Sequence, residues 1–440
     1  MTKFDTITYI ILNIAALILG ADKVAFGERI NLVNASRTKL KDAVKRIKDP
    51  DDRALAIMAY HQLLEAKAGV VHTPCLMDWC SSGASILSAV MRDPKGMQSC
   101  GVISAKHQYE SSTAPGNLYQ VLADRLNETL GEEFTRKEVK SVSVPYYYGG
   151  DANVRELMQV QDEKATEMRI QAYANTYADC LPGAAQFRQE ALDAWPEDKT
   201  EICFSAPDGY QVAVPILGDT KAMKVEVKYP VKDDNGKTVI IKTAVTTHFK
   251  VPECRPMMKR GFNGKTYRND HTKGLGAHLI HALDAYILRE IVRMSKLTMA
   301  EAQERMSHLT TGFSLGVHTP EMNHVIEMWE KTGVINTRIL YLVQGTDEVF
   351  TIPQGMYDQL EELIKYLPVK HYDVVHIHDE FGALPQHMDE LRKSANVVYA
   401  NLYRGRVADY YNEQFGMSLK AGEYDAKLYE TLLNVDYLLS

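Results

Sequence analysis

Residues 374–385 read VVHIHDEFGALP, and they place two histidines and two carboxylates at the end of an apolar run. Charged side chains beside an apolar run cost free energy unless they are solvated, paired or bound to a metal. The apolar residues on both sides predict two short strands that are joined at the acidic pair Asp379-Glu380. The stretch is therefore either a solvated hairpin or a functional site.

Two functional interpretations fit the segment His376-Ile377-His378-Asp379-Glu380. A His-x-His pair puts two imidazoles on one face of a strand, which is typical of a metal-dependent hydrolase such as a phosphodiesterase. Alternatively, a strand-turn-strand raises Asp379 into a cleft, where it holds magnesium with few protein ligands. The remaining histidines are dispersed along the chain, which weakens the hydrolase interpretation.

Length and composition indicate a globular mixed α/β protein. The chain of 440 residues exceeds the roughly 100–200 residues of one domain, so we expect two or three subdomains. Its six cysteines form no CxxC pair, which favours a reducing cytoplasm over a disulfide or zinc framework. A net charge of -7 argues against a protein coated in basic surface, although a local basic groove is compatible with it.

Hydrophobic periodicity predicts the elements of this fold. Residues 7–20 are too short and too interrupted to span a membrane, so we expect a buried helix there. Further helices are expected at 37–48, 52–66, 151–177, 277–294 and after 388. Alternation on both sides of Asp234-Asn235-Gly236 predicts an exposed hairpin over 224–245.

A basic stretch over 255–273 contains two glycines and Asn263, and we expect a loop there. Such a loop would either contact phosphates or be a solvated charged segment. Its six cations, against the single acid Asp270, are Arg255, Lys259, Arg260, Lys265, Arg268 and Lys273.

A magnesium site at Asp379 needs a second carboxylate at the end of an apolar run. Residues 76–93, LMDWCSSGASILSAVMRD, supply Asp78, which is followed by a turn of small residues and an apolar helix. Taken alone, Asp78 is better explained as the N-cap of that helix.

Residues 136–150, RKEVKSVSVPYYYGG, supply two cations. Arg136 and Lys140 are four positions apart, so a helix presents both on one face, as binding of a triphosphate requires. A solvated basic helix face is the alternative for this pair considered alone.

Taken together and in this order, the three motifs resemble those of the single-subunit RNA polymerases of bacteriophage and mitochondria, the phage T-seven type. The resemblance covers nearly the whole chain and implies the palm and fingers of a polymerase right hand, without most of the thumb and without the N-terminal domain. Other colinear stretches are ADKVAFGERI (21–30), NLYQVLADRLNETL (117–130), PDGY (207–210), the predicted helix with His281 and NVDYLLS (434–440).

The resemblance also implies a domain plan and partners. Palm elements are expected in 1–110 and 281–440, and the fingers with a nucleotide-binding helix in 111–280. The chain is most similar to the large subunit of the two-chain middle-gene RNA polymerase of N-four-like phages, in which a second polypeptide supplies the missing part. The expected partners are therefore a DNA template, an RNA product, nucleoside triphosphates and a second subunit, with no membrane, in the cytoplasm of an infected bacterium.

For the metal site, the resemblance matches Asp78 and Asp379 to the family's two magnesium-binding carboxylates. The backbone carbonyl of Trp79 is implied as a further ligand of the two Mg²⁺ ions. The implied activity is that of a nucleotidyltransferase, in which an RNA 3′ hydroxyl attacks the α-phosphate of a nucleoside triphosphate.

For the nucleotide, the resemblance matches Arg136 and Lys140 to the cations that bind the triphosphate, and Lys23 is a weaker candidate for the same task. Tyr148 matches the tyrosine that closes over the nucleotide and helps to select ribose over deoxyribose. His281 matches a histidine near that tyrosine.

The chain also departs from the family's pattern. Trp79 stands in place of a glycine, Ser85-Ile86 in place of a Gln-His pair, Ser141 in place of an arginine and Glu380 in place of a serine. Pro145 replaces a threonine and is expected to interrupt or kink the helix before Tyr148. The competing functions are a non-catalytic nucleic-acid-binding subunit related to polymerases and a metal-dependent phosphodiesterase.

Overall fold

The computed structural model contains 53% helix and 14% strand, so the predicted mixed α/β class is confirmed. No helix within the described part of the chain is long and apolar enough to cross a bilayer. The residues that the structure describes are 1–218, 220–232, 235–261, 264–312 and 316–440.

The chain begins with a group of helices that leads into the first strand. The helix predicted over 7–20 is confirmed: Asp5 caps it by accepting from Thr8 N, and the side chains from Tyr9 to Ala15 are buried. The elements are α1 (Thr6–Leu19), α2 (Phe26–Ser36), a 3-10 turn (Arg37–Lys39), α3 (Leu40–Arg46), α4 (Pro50–Lys67) and β1 (Cys75–Asp78).

Seven helices then follow among the described residues. The helical region predicted over 151–177 is confirmed, and two helices occupy most of it. The first ends at an extended residue, Gln159, and Asp162 starts the second by accepting from Lys164 N. The seven are α5 (Ser82–Val90), α6 (Pro94–Cys100), α7 (Leu118–Leu130), α8 (Arg136–Tyr147), α9 (Ala152–Met158), α10 (Glu163–Cys180) and α11 (Pro182–Asp193).

Three hairpins come next. The predicted long hairpin is confirmed, because β4 and β5 pair antiparallel over twelve residue pairs and are exposed on both faces. Asp234 of its predicted turn lies outside the described residues. The strands are β2 (Glu201–Ser205), β3 (Gln211–Pro215), β4 (Lys221–Lys232), β5 (Thr238–Phe249), β6 (Met258–Arg260) and β7 (Thr266–Arg268).

The basic stretch that was predicted as a loop forms the β6–β7 hairpin and a 3-10 turn, Asp270–Thr272. Asn263 of that stretch lies outside the described residues. Arg255 is only 6% exposed and donates to Leu217 O, while Lys259 and Lys273 pair with Asp270. Part of the positive charge is therefore neutralised within the protein.

The remaining chain is again mainly helical, and helices are confirmed at 277–294 and after 388. The elements are α12 (Leu275–Ser295), α13 (Met299–Met306), β8 (Leu309–Thr310), α14 (Pro320–Thr332), α15 (Arg338–Leu342), β9 (Phe350–Thr351), α16 (Gln354–Ile364), β10 (Val375–Ile377), β11 (Glu380–Ala383), a 3-10 turn (Pro385–His387), α17 (Met388–Arg404), α18 (Val407–Phe415) and α19 (Ala426–Leu432).

A three-stranded antiparallel sheet in the order β1-β11-β10 joins the two ends of the chain. In its register Cys75 faces Ala383, and Asp78 faces Glu380. The predicted pair of short strands is confirmed, but the predicted turn at Asp379-Glu380 is wrong by one residue. Glu380 already belongs to β11, and the turn is made by His378, whose φ is 56°, together with Asp379.

The final residues extend the edge of β1 that β11 leaves open. Cys80 N donates to Leu438 O at 2.8 Å, and Ser440 N donates to Asp78 O at 3.0 Å. The fully buried guanidinium of Arg392 on α17 donates to backbone carbonyls near both ends of the chain, Thr2 O and Asp436 O. Distant segments are thereby fixed around Asp78.

The β1–β11 pairing depends on a residue without a side chain at 382. A Cβ on Gly382 would lie 2.5 Å from Cys75 O and 2.6 Å from Leu76 Cδ2, so the strands would have to separate. We expect Gly382→Ala to lower the free energy of unfolding by about 1–3 kcal/mol in urea denaturation, as overpacking does elsewhere.

Gly27→Ala is the matched control for this substitution. Gly27 lies in α2, and an added Cβ there would meet no atom within 4 Å. Alanine is also the better helix former, so this variant should be unchanged or more stable by up to about 1 kcal/mol. Equal effects of the two substitutions would contradict the close strand contact at Gly382.

Candidate active site

A cavity of about 370 Å³ lies where the end of β1, the start of α5, the β10–β11 turn, α8 and α12 meet. All eight side chains or backbone groups that the sequence singled out line it. They come from widely separated parts of the chain: Lys23, Asp78, Trp79, Arg136, Lys140, Tyr148, His281 and Asp379.

Two carboxylates reach this cavity from adjacent strand ends. Asp78 is the last residue of β1, and Asp379 lies in the neighbouring turn, where its carbonyl accepts from Trp79 N at 2.9 Å. The alternative role of Asp78 as a helix N-cap is wrong, because α5 begins after Ser81 without a side-chain cap. The sheet register therefore determines how close the two carboxylates come.

The acidic part of the cavity carries unfavourable charge. Asp78 is open to solvent within the cavity, yet the surrounding protein partly dehydrates its carboxyl and raises its pKa; Lys23 opposes this rise and Asp379 adds to it. Burial, together with Asp78 and Asp379, raises the pKa of Glu380 to about 7. A bound cation would relieve this repulsion.

The pair of carboxylates Asp78 and Asp379 fits the small number of protein ligands that magnesium usually has. Among the described residues no group of three or more His, Cys, Asp or Glu side chains is arranged to hold a metal ion. Magnesium, however, is usually held by one or two carboxylates together with substrate phosphates and water. Asp78 and Asp379 match this sparse ligand set, so they are the side chains that would hold the ion.

The bulky Trp79 is accommodated in the core. Its indole Nε1 donates to Ser85 Oγ at 3.0 Å, and its ring packs near Phe381 and Tyr399. Two departures from the family pattern, Trp79 and Ser85, thus bind each other. The indole is buried in the core, while the Trp79 backbone N–H donates to Asp379 O in the turn.

The cationic part of the cavity is built on the start of α8. Thr135 and Glu138 form a capping box that fixes this helix end. Arg136 donates from Nε to Asn117 Oδ1 at 2.7 Å. No described carboxylate forms an ion pair with Arg136 or Lys140, whereas Lys23 pairs with Asp22 at 3.0 Å. Two cations are thus available to an anionic ligand.

Tyr148 follows the last turn of α8 and faces α12, where the rings of Tyr148 and His281 are 5.1 Å apart. The expected interruption at Pro145 is wrong, because α8 continues through it to Tyr147. Pro145 lies in the last turn, so its missing N–H removes little, and its carbonyl accepts from Tyr148 N and Gly150 N. The proline thereby helps to end the helix at Tyr148.

Sequence reasoning missed several lining residues, among them Asn117, Tyr119 and Asp284. Asp284 lies three positions after His281, and this helical spacing would have been enough to find it. Asn117 and Tyr119 begin the colinear stretch 117–130, but nothing in their residue types indicates a site. His378 also lines the cavity, while His376 of the same motif does not.

No protein-family model matches this chain, and the comparison with curated proteins gives no match either. The polymerase family therefore stays a prediction from the motifs. The proposals that follow rest on the residues of the cavity and their surroundings.

Asp284 should make the stability of the metal-free protein pH-dependent. Burial, and to a lesser extent Asp379, raise the pKa of Asp284 to about 6. Because this value exceeds the unfolded value of about 3.9, the native state binds the proton more tightly, and stability should fall as pH rises from about 4 through 6.

The asparagine in Asp284→Asn cannot ionise, so the stability of this variant should fall less as pH rises. In urea denaturation with a chelator, the free energy of unfolding of the variant relative to the wild type should rise by about 1–2 kcal/mol between pH 4.5 and 7.5. Asp347→Asn, at an exposed position, is the control, and it should keep the wild-type dependence of stability on pH. A profile of Asp284→Asn parallel to the wild type would contradict the assignment.

Proposed function

We propose that this chain is the catalytic subunit of a DNA-dependent RNA polymerase, which transfers nucleotides from nucleoside triphosphates to an RNA 3′ end. The observation that carries the proposal is the content of one cavity. Two carboxylates from adjacent strand ends, a helix-borne pair of cations and a tyrosine whose ring lies 5.1 Å from that of a histidine all line it. Nucleotidyl transfer needs these groups together, since its catalysis is mainly positioning and charge neutralisation.

The triphosphate is the ligand that fits the cationic side. Arg136 offers a planar guanidinium, Lys140 a compact ammonium one helical turn away, and Lys23 a third charge from before α2. Arg136 and Lys140 would offset part of the charge on a triphosphate and orient its leaving group. Lys23 already pairs with Asp22 and is the weaker candidate.

Asp78 and Asp379 would hold the two Mg²⁺ ions. When bound, these ions activate the RNA 3′ hydroxyl and stabilise the leaving pyrophosphate. The protein itself orders both carboxylates through the β1–β11 register, and it excludes bulk water from their inner side by packing Trp79 and Phe381 beneath them.

Sugar selection falls to Tyr148 and His281. An added Cβ on Gly83 would lie 3.4 Å from the Tyr148 hydroxyl, so the phenol ends against the start of α5 close to Asp78. A hydroxyl there can hydrogen-bond a ribose 2′-OH beside the reacting phosphate. A phenylalanine would keep the stacking and lose that bond.

The polymerase right hand is part of the same proposal, with palm in 1–110 and 281–440 and fingers in 111–280. A second subunit would complete the grip on nucleic acid.

The β4–β5 hairpin is proposed as a contact for template or upstream DNA. Along β4, lysines 224, 228 and 232 lie on one face together with Glu226, and Met223, Val225, Val227, Tyr229 and Val231 lie on the other. A lysine face of this kind suits the phosphate backbone. Unchanged template preference after replacement of the tip residue Lys237 would count against this role.

The phosphodiesterase alternative requires both histidines of the motif. His378 adopts a left-handed conformation in the turn and lines the cavity, but His376 on β10 does not. The non-catalytic alternative requires the acidic and cationic groups to be dispensable, although they converge on one cavity. The geometry therefore favours the polymerase proposal over both.

Template-directed synthesis provides the direct test. With Mg²⁺, labelled ribonucleotides and an RNA-primed DNA template, the chain purified together with any polypeptide that binds it should extend the primer. Asp379→Ala should reduce the rate by about 10²–10³-fold, because it removes charge stabilisation of the transition state.

Asp179→Ala is the control, since Asp179 is an exposed carboxylate paired with Lys95 and Arg125 away from the cavity. It should retain the wild-type rate. Absence of extension above the Asp379→Ala background, in a complex that still binds the template, would favour the non-catalytic subunit instead.

Tyr148→Phe should relax the choice of sugar. Loss of one hydrogen bond to the 2′-OH predicts a fall of about tenfold in the preference for ribonucleotides, measured as the ratio of kcat/KM for ATP and dATP. Tyr146→Phe is the matched control, because Tyr146 is on the same helix but does not line the cavity. An unchanged ratio in Tyr148→Phe would remove Tyr148 from this role.

A further inference from the structure

Tyr119, on the first turn of α7, has no role in the account above, yet its ring lies beside both cations of the cavity. The Arg136 guanidinium carbon is 5.9 Å from the ring centroid, and Lys140 Nζ is 5.8 Å from it. Both distances fall within the range over which an aromatic face attracts a cation. One ring thus attracts two positive charges, and this attraction offsets part of their mutual repulsion.

The ring is a fixed platform. Its neighbour Leu118 is fully buried, and the ring of Tyr119 packs against the hydrophobic core. Burial raises the pKa of Tyr119 to about 12, so the phenol stays neutral and keeps its hydroxyl proton at physiological pH. The ring therefore presents a neutral aromatic face, packed against the core, to the two cations.

Arg136 is held from a second direction by Asn117, which accepts from its Nε. Its terminal N–H groups, and the ammonium of Lys140, form no ion pair with a described carboxylate. Lysine and arginine lose much side-chain entropy when a ligand orders them. A surface that orders them beforehand lowers that cost and improves ligand affinity.

We propose that Tyr119 is a positioning residue, whose aromatic ring holds Arg136 and Lys140 side by side for the polyphosphate of a nucleoside triphosphate. This inference rests on the proposed function for the identity of the ligand. The part of Tyr119 that acts is the ring face, and the hydroxyl is dispensable. The residue touches the cations and does not itself bind the reacting atoms.

Inorganic tripolyphosphate is a suitable probe, because its binding can be measured without template, primer or metal. Titration calorimetry on the full chain, with its bound partner, should give a dissociation constant about tenfold weaker for Tyr119→Leu, which corresponds to about 1.4 kcal/mol. Tyr119→Phe keeps the ring and should stay within about twofold of the wild type. Tyr119→Met replaces the leucine variant if that variant does not fold.

Tyr109→Leu is the matched control. Lys427 lies over the Tyr109 ring at 4.2 Å, so this substitution also removes a cation–ring contact, but away from the cavity. It should leave tripolyphosphate affinity unchanged. In primer extension, Tyr119→Leu should raise KM for nucleotides about tenfold and change kcat by less than about threefold.

The outcomes separate this inference from the proposed function. Three results would each overturn the role of the ring. Tyr119→Leu could bind tripolyphosphate with wild-type affinity, the Phe and Leu variants could lose affinity equally, or the wild type could fail to bind tripolyphosphate. Ring-dependent tripolyphosphate binding without any primer extension would uphold it while overturning the polymerase activity. Primer extension by the wild type, together with unchanged tripolyphosphate affinity in Tyr119→Leu, would support the polymerase activity and overturn the role of the ring.

Discussion

The antiparallel pairing of β1 with β11 is the constraint on which the site depends. It joins Cys75–Asp78 to Glu380–Ala383, segments about 300 residues apart, and it puts Asp78 next to the turn that carries Asp379. The close approach is possible because Gly382 has no side chain. Burial of Trp79 and Phe381 behind the strands and the pairing of Leu438–Ser440 along the edge of β1 then hold this arrangement in place.

Asp78 and Asp379 would repel each other, and α8 brings two cations, Arg136 and Lys140, into the same cavity. Burial of Asp78, and to a lesser extent its neighbour Asp379, raises the pKa of the Asp78 carboxyl, so the charged form is costly in the absence of a ligand. Arg136 and Lys140 lie in the same cavity without acidic partners among the described residues. A metal ion bridged to a polyphosphate satisfies both sets of charges at once, and for this reason we favour nucleotidyl transfer.

Much of this could be predicted from sequence where the signal is local. The helix over 7–20, the long hairpin and the strand-turn-strand at 374–385 follow from periodicity and turn chemistry, and the structure has all three. The exact turn residues could not be predicted, since the pairing with the distant β1 decides that Glu380 joins the strand. The expected break at Pro145 failed because a proline in the last turn of a helix removes only one hydrogen bond.

Candidate site residues were found where a charged residue followed a distinctive pattern, and the resemblance added Trp79, Tyr148 and His281. Tyr119 was missed because an aromatic residue in an amphipathic helix is usually a core residue, and its contact with two cations arises from the packing of α7 on α8. The compensation between Trp79 and Ser85 is likewise a tertiary contact. Side chains that act by supporting a charge, and not by carrying one, become visible only in three dimensions.

The central claim is that Asp78 and Asp379 together bind a cation, and terbium luminescence tests it most directly. Trp79 lines the cavity, whereas the two other tryptophans, Trp195 and Trp329, do not. Tryptophan excitation should therefore give saturable Tb³⁺ emission that is lost in Asp379→Asn and in Trp79→Phe and is kept in Trp329→Phe. Emission that survives Asp379→Asn, or that depends on Trp329, would show that the cation binds elsewhere and would contradict the account.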